Sequence, residues 1–291
     1  MSNLHLFAAC VLIWGTTWLA ITFQLGRVAP DVSVFYRFLL ASVLVFAYCA
    51  WRRLPLRYSW RQHAWIALMG ILMFGVSYVF VYYAEQHVVS GLVAVGYSAS
   101  PLLGMLGMRT FFGTPMTRRV ALGSVLGIVG IALVFSPEIG SAQGPGNFAV
   151  GATYTALAVL LSAFGSLVAH RNHQHDLPLW QSLAWGMLYG ALFALAWALA
   201  GGKPLDFEPT ARYVASLAYL AVFGSILAFA SYLTLLKRIG AARSGYIGVM
   251  TPIVALVISA AFESFRWHAL TWVGIAVSVA GNVVILRGKA R

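Results

Sequence analysis

Apolar residues follow one another along this chain in long runs that contain no charged side chain. Nine such runs cover residues 1–26, 62–84, 86–108, 120–137, 139–170, 177–202, 213–236, 244–262 and 267–286. Each is near or above the ~20 residues that a helix needs to cross a bilayer. A tenth apolar stretch, roughly 32–51, carries a single charge at Arg37. Because lipid permits no open sheet edge, the pattern predicts an all-α integral membrane protein with ten transmembrane helices and short loops.

Several landmarks of the chain occur twice, about 150 residues apart. The matched pairs are Pro101 and Pro252, Gly123 and Gly274, Gly130 and Gly281, Gly75 and Gly224, Tyr83 and Tyr232, and Gly15 and Gly165. With only ten prolines in 291 residues, the repeated spacing is hard to assign to chance. It predicts two five-helix repeats, residues 1–140 and 141–291. Because five is odd, the repeats insert with opposite orientations, and any substrate site is expected near the midplane between them.

Composition excludes a soluble fold. Hydrophobic residues make up 61% of the chain and charged residues only 9%, whereas a soluble domain has about 25% charged residues. The first run starts within a few residues of Met1 without a basic segment before it, which favours a first span over a cleaved signal peptide. Cys10 and Cys49 both fall in predicted spans. We interpret them as small packing residues rather than a disulfide or metal pair.

The distribution of charge predicts the orientation in the membrane. When loops are assigned alternately to the two sides, 14 of the 19 Lys and Arg residues fall on one side, together with both termini. Six of the seven acidic residues fall on the other side. The positive-inside rule makes the basic side cytoplasmic. We therefore interpret the net charge of +12 as a topology signal and not as a nucleic-acid-binding surface.

The pattern of several of these residues resembles that of a known protein family. The features that carry the resemblance are Trp14-Gly15 in the first span, Arg37 in the second, and Pro101 and Pro252 within the fourth and ninth. They are similar to the drug/metabolite transporter superfamily, specifically its EamA-type ten-helix exporters. Glu263 resembles the family's Gly-Glu-type helix ending, whereas the first half has Gly113-Thr114 there. The resemblance implies export of amino acids, other metabolites or toxic cations, and the density of aromatic residues is similar to YddG-like amino-acid exporters.

Aromatic residues are the main candidates for substrate contact. Trp14 and Trp18 are four residues apart, as are Tyr78 and Tyr82, so each pair shares a helix face. All four lie too deep in their spans for an interfacial aromatic belt. The resemblance implies a central cavity built from helices 1–4 and 6–9, and further aromatic residues in those helices complete the candidate set: Tyr97, Phe164, Phe229, Tyr232 and Tyr246. The alternative is that individual rings only fill the bundle or face lipid.

Two prolines and one arginine are the other candidates. Pro101 and Pro252 cannot donate to the carbonyls of Tyr97 and Gly248, which predicts hinges beside a solvated path, or else ordinary packing kinks. Arg37 is the only Lys or Arg within a span. It is predicted either to hold a substrate carboxylate, to pair with periplasmic acids, or to extend to the interface as long side chains can.

Together these features predict an inner-membrane transporter that exports small metabolites, chiefly amino acids including aromatic ones, by alternating access. The alternatives are an exporter of organic cations or drugs, a channel, a lipid flippase or a membrane-embedded enzyme. No catalytic motif or intramembrane acid pair supports an enzyme, and no cofactor or metal is predicted. The expected partners are a small-molecule substrate and the bilayer, without nucleic acid. The oligomeric state is left open.

Acidic residues are missing from the interior of every predicted span. Proton-coupled pumps usually relay protons through such residues. The pattern therefore favours a facilitator that moves its substrate down a gradient. Coupling through groups at the span edges, such as Glu85 or His87, is the alternative.

The predicted topology can be tested with reporter fusions. A reporter fused at Gly288 is expected in the cytoplasm, and one inserted near Ser141 in the periplasm, because both termini and the basic loops share one side. Alkaline phosphatase and green fluorescent protein activities would distinguish the two compartments. Reversed signals would contradict the orientation and the inversion of the repeats.

Overall fold

The computed structural model describes residues 2–113, 118–137, 145–244, 246–263, 265 and 267–286. Within these ranges every regular element is helical, and ten helices coincide with the ten predicted spans. They are α1 (Asn3–Thr22), α2 (Pro30–Trp51), α3 (Trp60–Gly70, Ile71–Val76 and Ser77–Glu85), α4 (Ser90–Gly96, Tyr97–Ala99 and Ser100–Phe112), α5 (Arg118–Phe135), α6 (Pro145–Gln174), α7 (Leu179–Ala200), α8 (Ala211–Tyr219, Leu220–Leu227 and Ala228–Ser244), α9 (Tyr246–Phe262) and α10 (Ala269–Leu286).

Length and composition allow most of these helices to cross a membrane. Seven of them, α1–α4 and α6–α8, contain a stretch that is long and apolar enough for a crossing. The other three contain shorter apolar helices, Ala121–Phe135, Met250–Phe262 and Ala269–Val284. The predicted all-α membrane architecture is therefore confirmed for the described residues. Gly288 and Ser141, the proposed reporter positions, lie outside them.

Local sequence explains where several helices begin. The Ser2 hydroxyl accepts a hydrogen bond from the His5 amide at the start of α1. At the start of α3, Ser59 and Gln62 exchange side-chain and backbone hydrogen bonds as a capping box. Such caps satisfy amides that have no partner inside the helix. Pro30 begins α2, where its missing amide costs nothing.

The contacts between helices follow the same pattern in both halves of the chain. Helix α1 packs against α8 and α9, and its counterpart α6 packs against α3 and α4. Two further pairs, α2 with α7 and α5 with α10, join equivalent helices across the middle of the bundle. This is the arrangement that two repeats related by an approximate two-fold axis require. The centre of the bundle is therefore built from both halves.

The irregular helical segments also occur in matched positions. A π-helical segment interrupts α3 at Ile71–Val76 and α8 at Leu220–Leu227. Each contains one of the repeated glycines, Gly75 or Gly224. Such π-bulges leave some carbonyls without their usual partners and are frequent at functional sites. The sequence repeat thus marks the two places where the helices are least regular.

The two prolines occupy different helical surroundings. A 3₁₀ turn at Tyr97–Ala99 precedes Pro101, which lies in the first turn of the segment that follows. The Ser100 amide donates to the Tyr97 carbonyl in this turn. The prediction that Pro101 leaves this carbonyl without a donor was therefore wrong, because the tighter turn supplies another one. Pro252 lies inside α9, as predicted, and the side chain of Pro101 is outside the described residues.

Glycines bring the backbones of α5 and α10 into direct contact. A Cβ atom built on Gly130 would lie 2.4 Å from the Ser278 amide nitrogen and 2.6 Å from the Gly274 carbonyl oxygen. One built on Gly281 would lie 2.6 Å from the Gly123 carbonyl oxygen. Small residues allow this approach between membrane helices. The matched glycines of the sequence therefore form a seam between the halves, and α5 and α10 support the bundle there.

The seam can be tested by adding one methyl group. Gly130→Ala is expected to destabilise the protein by about 1–3 kcal/mol, because the new Cβ overlaps backbone atoms that cannot move independently. Gly127→Ala is the matched control on the same helix, since a Cβ there meets nothing within 4 Å. Thermal unfolding in detergent would measure both. Equal melting temperatures for the two variants would contradict the seam.

Candidate functional site at the centre of the bundle

Arg37 is enclosed at the centre of the bundle. Its side chain is 1% exposed, so it does not extend to the interface. The guanidinium Nε donates to the Ser225 hydroxyl at 3.1 Å, and the guanidinium carbon lies 4.6 Å from the centre of the Tyr78 ring. The Nη1 nitrogen is buried without a hydrogen-bond partner. Burial of this kind favours a functional role, because a charge inside a membrane protein is costly.

The π-helical segment of α8 positions the acceptor of that bond. Ser225 donates its own hydroxyl proton to the Leu220 carbonyl, five residues earlier, at 3.0 Å. Its oxygen is then oriented to accept from Arg37. Gly224 supplies the space, since a Cβ there would lie 3.2 Å from the Arg37 Nη2 atom and 2.8 Å from the Thr17 methyl group. Gly224 and Ser225 of the π segment thus give the Arg37 guanidinium its space and its hydrogen-bond acceptor.

Trp14 holds the same segment from the side of α1. Its indole Nε1 donates to the Gly224 carbonyl at 3.2 Å. The ring lies 5.2 Å from that of Phe229 in an edge-to-face arrangement and 5.5 Å from that of Tyr232. Buried indoles usually find such a polar partner while packing the rest of the ring. Three of the predicted aromatic residues are therefore brought together here.

A row of rings connects this cluster to Arg37. Phe229 lies 5.2 Å from Phe74, which lies 5.4 Å from Phe38, and Phe38 lies 4.9 Å from Tyr78. Sequence reasoning missed Phe38 and Phe74, both of which are fully buried. Phe74 precedes Tyr78 by four residues, so the spacing that singled out Tyr78 and Tyr82 could have found it.

A second aromatic group lies beside the first. The Trp18 and Tyr97 rings are 5.1 Å apart, and the Tyr82 hydroxyl donates to the Gln24 side-chain oxygen at 2.6 Å. Two buried nitrogen atoms in this group, Trp18 Nε1 and Gln24 Nε2, have no hydrogen-bond partner. Unpartnered donors are expensive to bury. They are groups that a polar ligand or water would satisfy.

The remaining predicted residues are placed differently. Phe164 is 38% exposed and lies 6.1 Å from Phe111, apart from the rings described above. Pro252 lines a cavity of about 20 Å³ with Ser98 and Ser278, which is enough space for one water molecule. The side chain of Tyr246 lies outside the described residues.

The arrangement can bind an anion next to an apolar group. A guanidinium with free N–H groups recognises a carboxylate, and the surrounding aromatic faces suit an apolar side chain. Among the described residues, no group of three His, Cys, Asp or Glu side chains is placed to hold a metal ion.

A helical membrane bundle with repeated halves, broken helices and a buried charge is typical of a membrane transporter. The chain belongs to the EamA-like transporter family, whose sequence profile matches residues 2–136 and 149–287. It is therefore a membrane transporter of small molecules, as the residues quoted above predicted.

Similar proteins agree with this assignment over nearly the whole chain. The uncharacterized inner membrane transporter YedA of Escherichia coli strain K12 is 28% identical, over 97% of this chain and 89% of its own. Protein PecM of Dickeya dadantii strain 3937 is 24% identical, over 98% of this chain and 92% of its own. A protein known from a crystal structure has a TM-score of 0.71 at 17% identity, covering 97% of this chain and 96% of that one. That last likeness shows a shared fold.

The role of Ser225 can be tested by removing its hydroxyl. Ser225→Ala is expected to destabilise the protein by about 1–3 kcal/mol, because the buried Arg37 Nε loses its acceptor. Ser216→Ala is the matched control, since this buried hydroxyl only donates to the Tyr213 carbonyl on the same helix. Thermal unfolding of the purified proteins would measure both. A smaller loss of stability for Ser225→Ala than for Ser216→Ala would show that the hydrogen bond between Arg37 and Ser225 is dispensable.

Proposed function

We propose that this transporter exports amino acids, including aromatic ones, across the inner membrane by alternating access. The observation that carries the proposal is the buried Arg37, with an unpartnered Nη1 nitrogen and aromatic residues around it. The site residues are those predicted from the sequence except Phe164, which lies with Phe111, and Phe38, Phe74 and Ser225 are added.

The substrate carboxylate binds Arg37. A buried charge without a counterion costs several kcal/mol, and the structure describes no carboxylate hydrogen-bonded to this guanidinium. Since Nε is already committed to Ser225, the Nη1 side of the guanidinium receives the substrate. A charge-assisted bond there restores the missing pairing. Binding is therefore strongest for a substrate that carries an anion.

The aromatic residues select the rest of the substrate. Trp18, Tyr97 and Phe229 offer ring faces for an apolar or aromatic side chain. The ammonium group can be held by ring faces and by oxygen atoms, among them the Tyr78 hydroxyl and the Gly248 carbonyl.

Alternating access follows from the repeated halves. The two halves rock against one another, and the proline-containing helices α4 and α9 close opposite ends of the path. In the conformation described, the rings between Trp14 and Tyr78 lie in contact with one another. Substrate binding therefore requires these rings to separate. Both termini lie in the cytoplasm, according to the charge distribution.

An exporter of organic cations is the second candidate, because aromatic cages also bind quaternary ammonium groups. Arg37 disfavours it. A buried positive charge beside the binding faces repels a cationic substrate, and the local dielectric is too low to screen it.

The proposal is tested by transport in proteoliposomes loaded with a panel of labelled amino acids and organic cations. Arg37→Gln is expected to reduce amino-acid transport by roughly tenfold to a hundredfold, because a hydrogen bond to a charged group is lost. Trp18→Ala, Tyr78→Ala and Tyr82→Ala are each expected to slow it. Arg57→Gln, at an exposed position, is the matched control for charge.

Two results would contradict parts of the proposal. If the four variants transport like the parent, the binding site lies elsewhere. If the parent carries an organic cation but no amino acid, the transporter assignment stands and the proposed substrate is wrong.

A further inference from the structure

A groove lies between the start of α3 and the end of α6, at the end of the bundle predicted to face the cytoplasm. Its volume is about 450 Å³, which falls within the range of roughly 300–1,000 Å³ that is usual for ligand sites. The residues that matter for its chemistry are Trp60, Arg61 and Trp65 of α3, Arg171 of α6, and His175 just after α6. None of them belongs to the proposed substrate site.

The charge of the groove is positive. Arg61 and Arg171 both line it, and no acid does so among the residues that the structure describes. Arg61 is exposed, and its guanidinium carbon lies 5.7 Å from the centre of the Trp60 ring. Guanidinium groups form their strongest hydrogen bonds with carboxylate and phosphate oxygens. Two of them in one groove therefore favour an anionic ligand.

The Arg171 guanidinium is held in place by stacking. Its carbon lies over the Trp65 ring, 3.9 Å from the ring centre. This contact covers one face of the guanidinium and leaves the N–H groups along its edge available to a ligand. Because the side chain is already ordered, less conformational freedom is lost when a ligand binds. Phosphate suits such a site, since its oxygen atoms match the planar fork of N–H groups.

Polar contacts tie the end of α6 to α3 beneath the groove. Asn172 is 2% exposed, and its Nδ2 atom donates to the Trp65 carbonyl at 3.3 Å. The His175 Nδ1 atom lies 3.0 Å from the Arg171 carbonyl oxygen. The backbone that carries Arg171 is thereby fixed next to the backbone that carries Trp65. The shape of the groove thus depends on buried contacts as well as on its exposed side chains.

The two tryptophans indicate where the groove lies relative to the bilayer. Trp60 is 75% exposed and Trp65 is 38% exposed, and α3 begins at Trp60. Exposed tryptophans at the end of a membrane span are typical of the headgroup region, where an apolar ring with one polar N–H group is most stable. An anion bound here meets apolar ring surface as well as positive charge. That combination favours a lipid over an ion dissolved in water.

We propose that this groove binds the phosphate headgroup of an anionic phospholipid from the cytoplasmic leaflet. Arg61 and Arg171 hold the phosphate, while Trp60 and Trp65 contact the glycerol and the first methylene groups of the acyl chains. Basic pockets between membrane helices on the cytoplasmic side receive such headgroups. Arg61 belongs to the first repeat and Arg171 to the second, so the bound lipid links the two halves at this end. The inference does not depend on the substrate proposed above.

The test measures occupancy of the groove in the purified full-length protein in neutral detergent micelles. Cys10 and Cys49, which are both free and buried, are replaced by Ala, and Ala64→Cys places a thiol in the groove, which Ala64 lines. Labelling by a polar maleimide is followed as phosphatidylglycerol is added, with phosphatidylcholine and inorganic phosphate in parallel. Ala50→Cys, at an exposed position near the end of α2, is the matched control for general coverage by lipid.

Phosphatidylglycerol is expected to slow labelling of Ala64→Cys at least fivefold, roughly the factor that one arginine contributes next to an anionic headgroup. Phosphatidylcholine and inorganic phosphate should leave the rate unchanged, and Ala50→Cys should label equally in all three. Equal protection by phosphatidylcholine would show that the groove does not select a headgroup and would overturn the proposal. Equal protection by inorganic phosphate would also overturn it, because the ligand would then be a soluble anion.

The arginines are tested in the same assay. Arg61→Gln and Arg171→Gln together are expected to raise the concentration of phosphatidylglycerol needed for half-protection roughly 25-fold, about fivefold for each charge. Arg52→Gln is the matched control, because Arg52 also lies beside an exposed tryptophan, Trp51, and does not line the groove. In 0.15 M salt, which screens exposed charges beyond about 8 Å, this control should stay close to the parent.

A single variant keeps the test decisive if Arg171→Gln does not fold. Arg61 is exposed, and Arg61→Gln alone is expected to weaken protection about fivefold. Protection of this variant equal to that of the parent would overturn the proposal, as would an equal loss in Arg52→Gln. Failure to transport any amino acid would leave the labelling results unchanged, which separates this inference from the proposed substrate.

Discussion

The hydrogen bond between Arg37 and Ser225 joins the two halves of the protein at their least regular point. A guanidinium inside a membrane bundle needs partners that lipid cannot supply, and here they come from a serine and a ring face rather than an acid. The bond depends on the π segment of α8, because a regular helix would not turn the Ser225 hydroxyl toward the Leu220 carbonyl. Only part of the charge is satisfied, which leaves the centre of the bundle suited to an anion.

The sequence predicts the helices well because a membrane crossing has a strict requirement for length and apolar composition. It predicts the site less completely. Each π segment adds a residue to a turn, and one residue rotates the following helix face by about 100°. Helical spacing also finds only neighbours on one helix, such as Phe74 and Tyr78, and cannot show that Phe38 of α2 packs on Tyr78 or that Phe164 lies with Phe111. Likewise, the 3₁₀ turn at Tyr97–Ala99 gives the Tyr97 carbonyl a donor that the position of Pro101 does not suggest.

The repeats differ where helices α4 and α9 end. Helix α4 is followed by Gly113, whose φ of 68° lets its amide donate to the Arg109 carbonyl and close the last turn. Helix α9 is followed by Glu263, whose carboxylate accepts a hydrogen bond from the Ser90 amide in the other half of the protein. Helices at equivalent positions in the two repeats can thus end in different ways. A transporter built from two similar halves need not respond in the same way to the solutions on its two sides.

The contact between α5 and α10 limits how the halves can move. At Gly130, Gly274 and Gly281 the two backbones touch without intervening side chains. At such a contact, rotation of one helix against the other is easier than sliding, because sliding would bring side chains into main-chain atoms. The displacement of atoms by such a rotation grows with their distance from this contact. Under the alternating access proposed above, a small rotation at this contact would give a wider gap at the far side of the bundle.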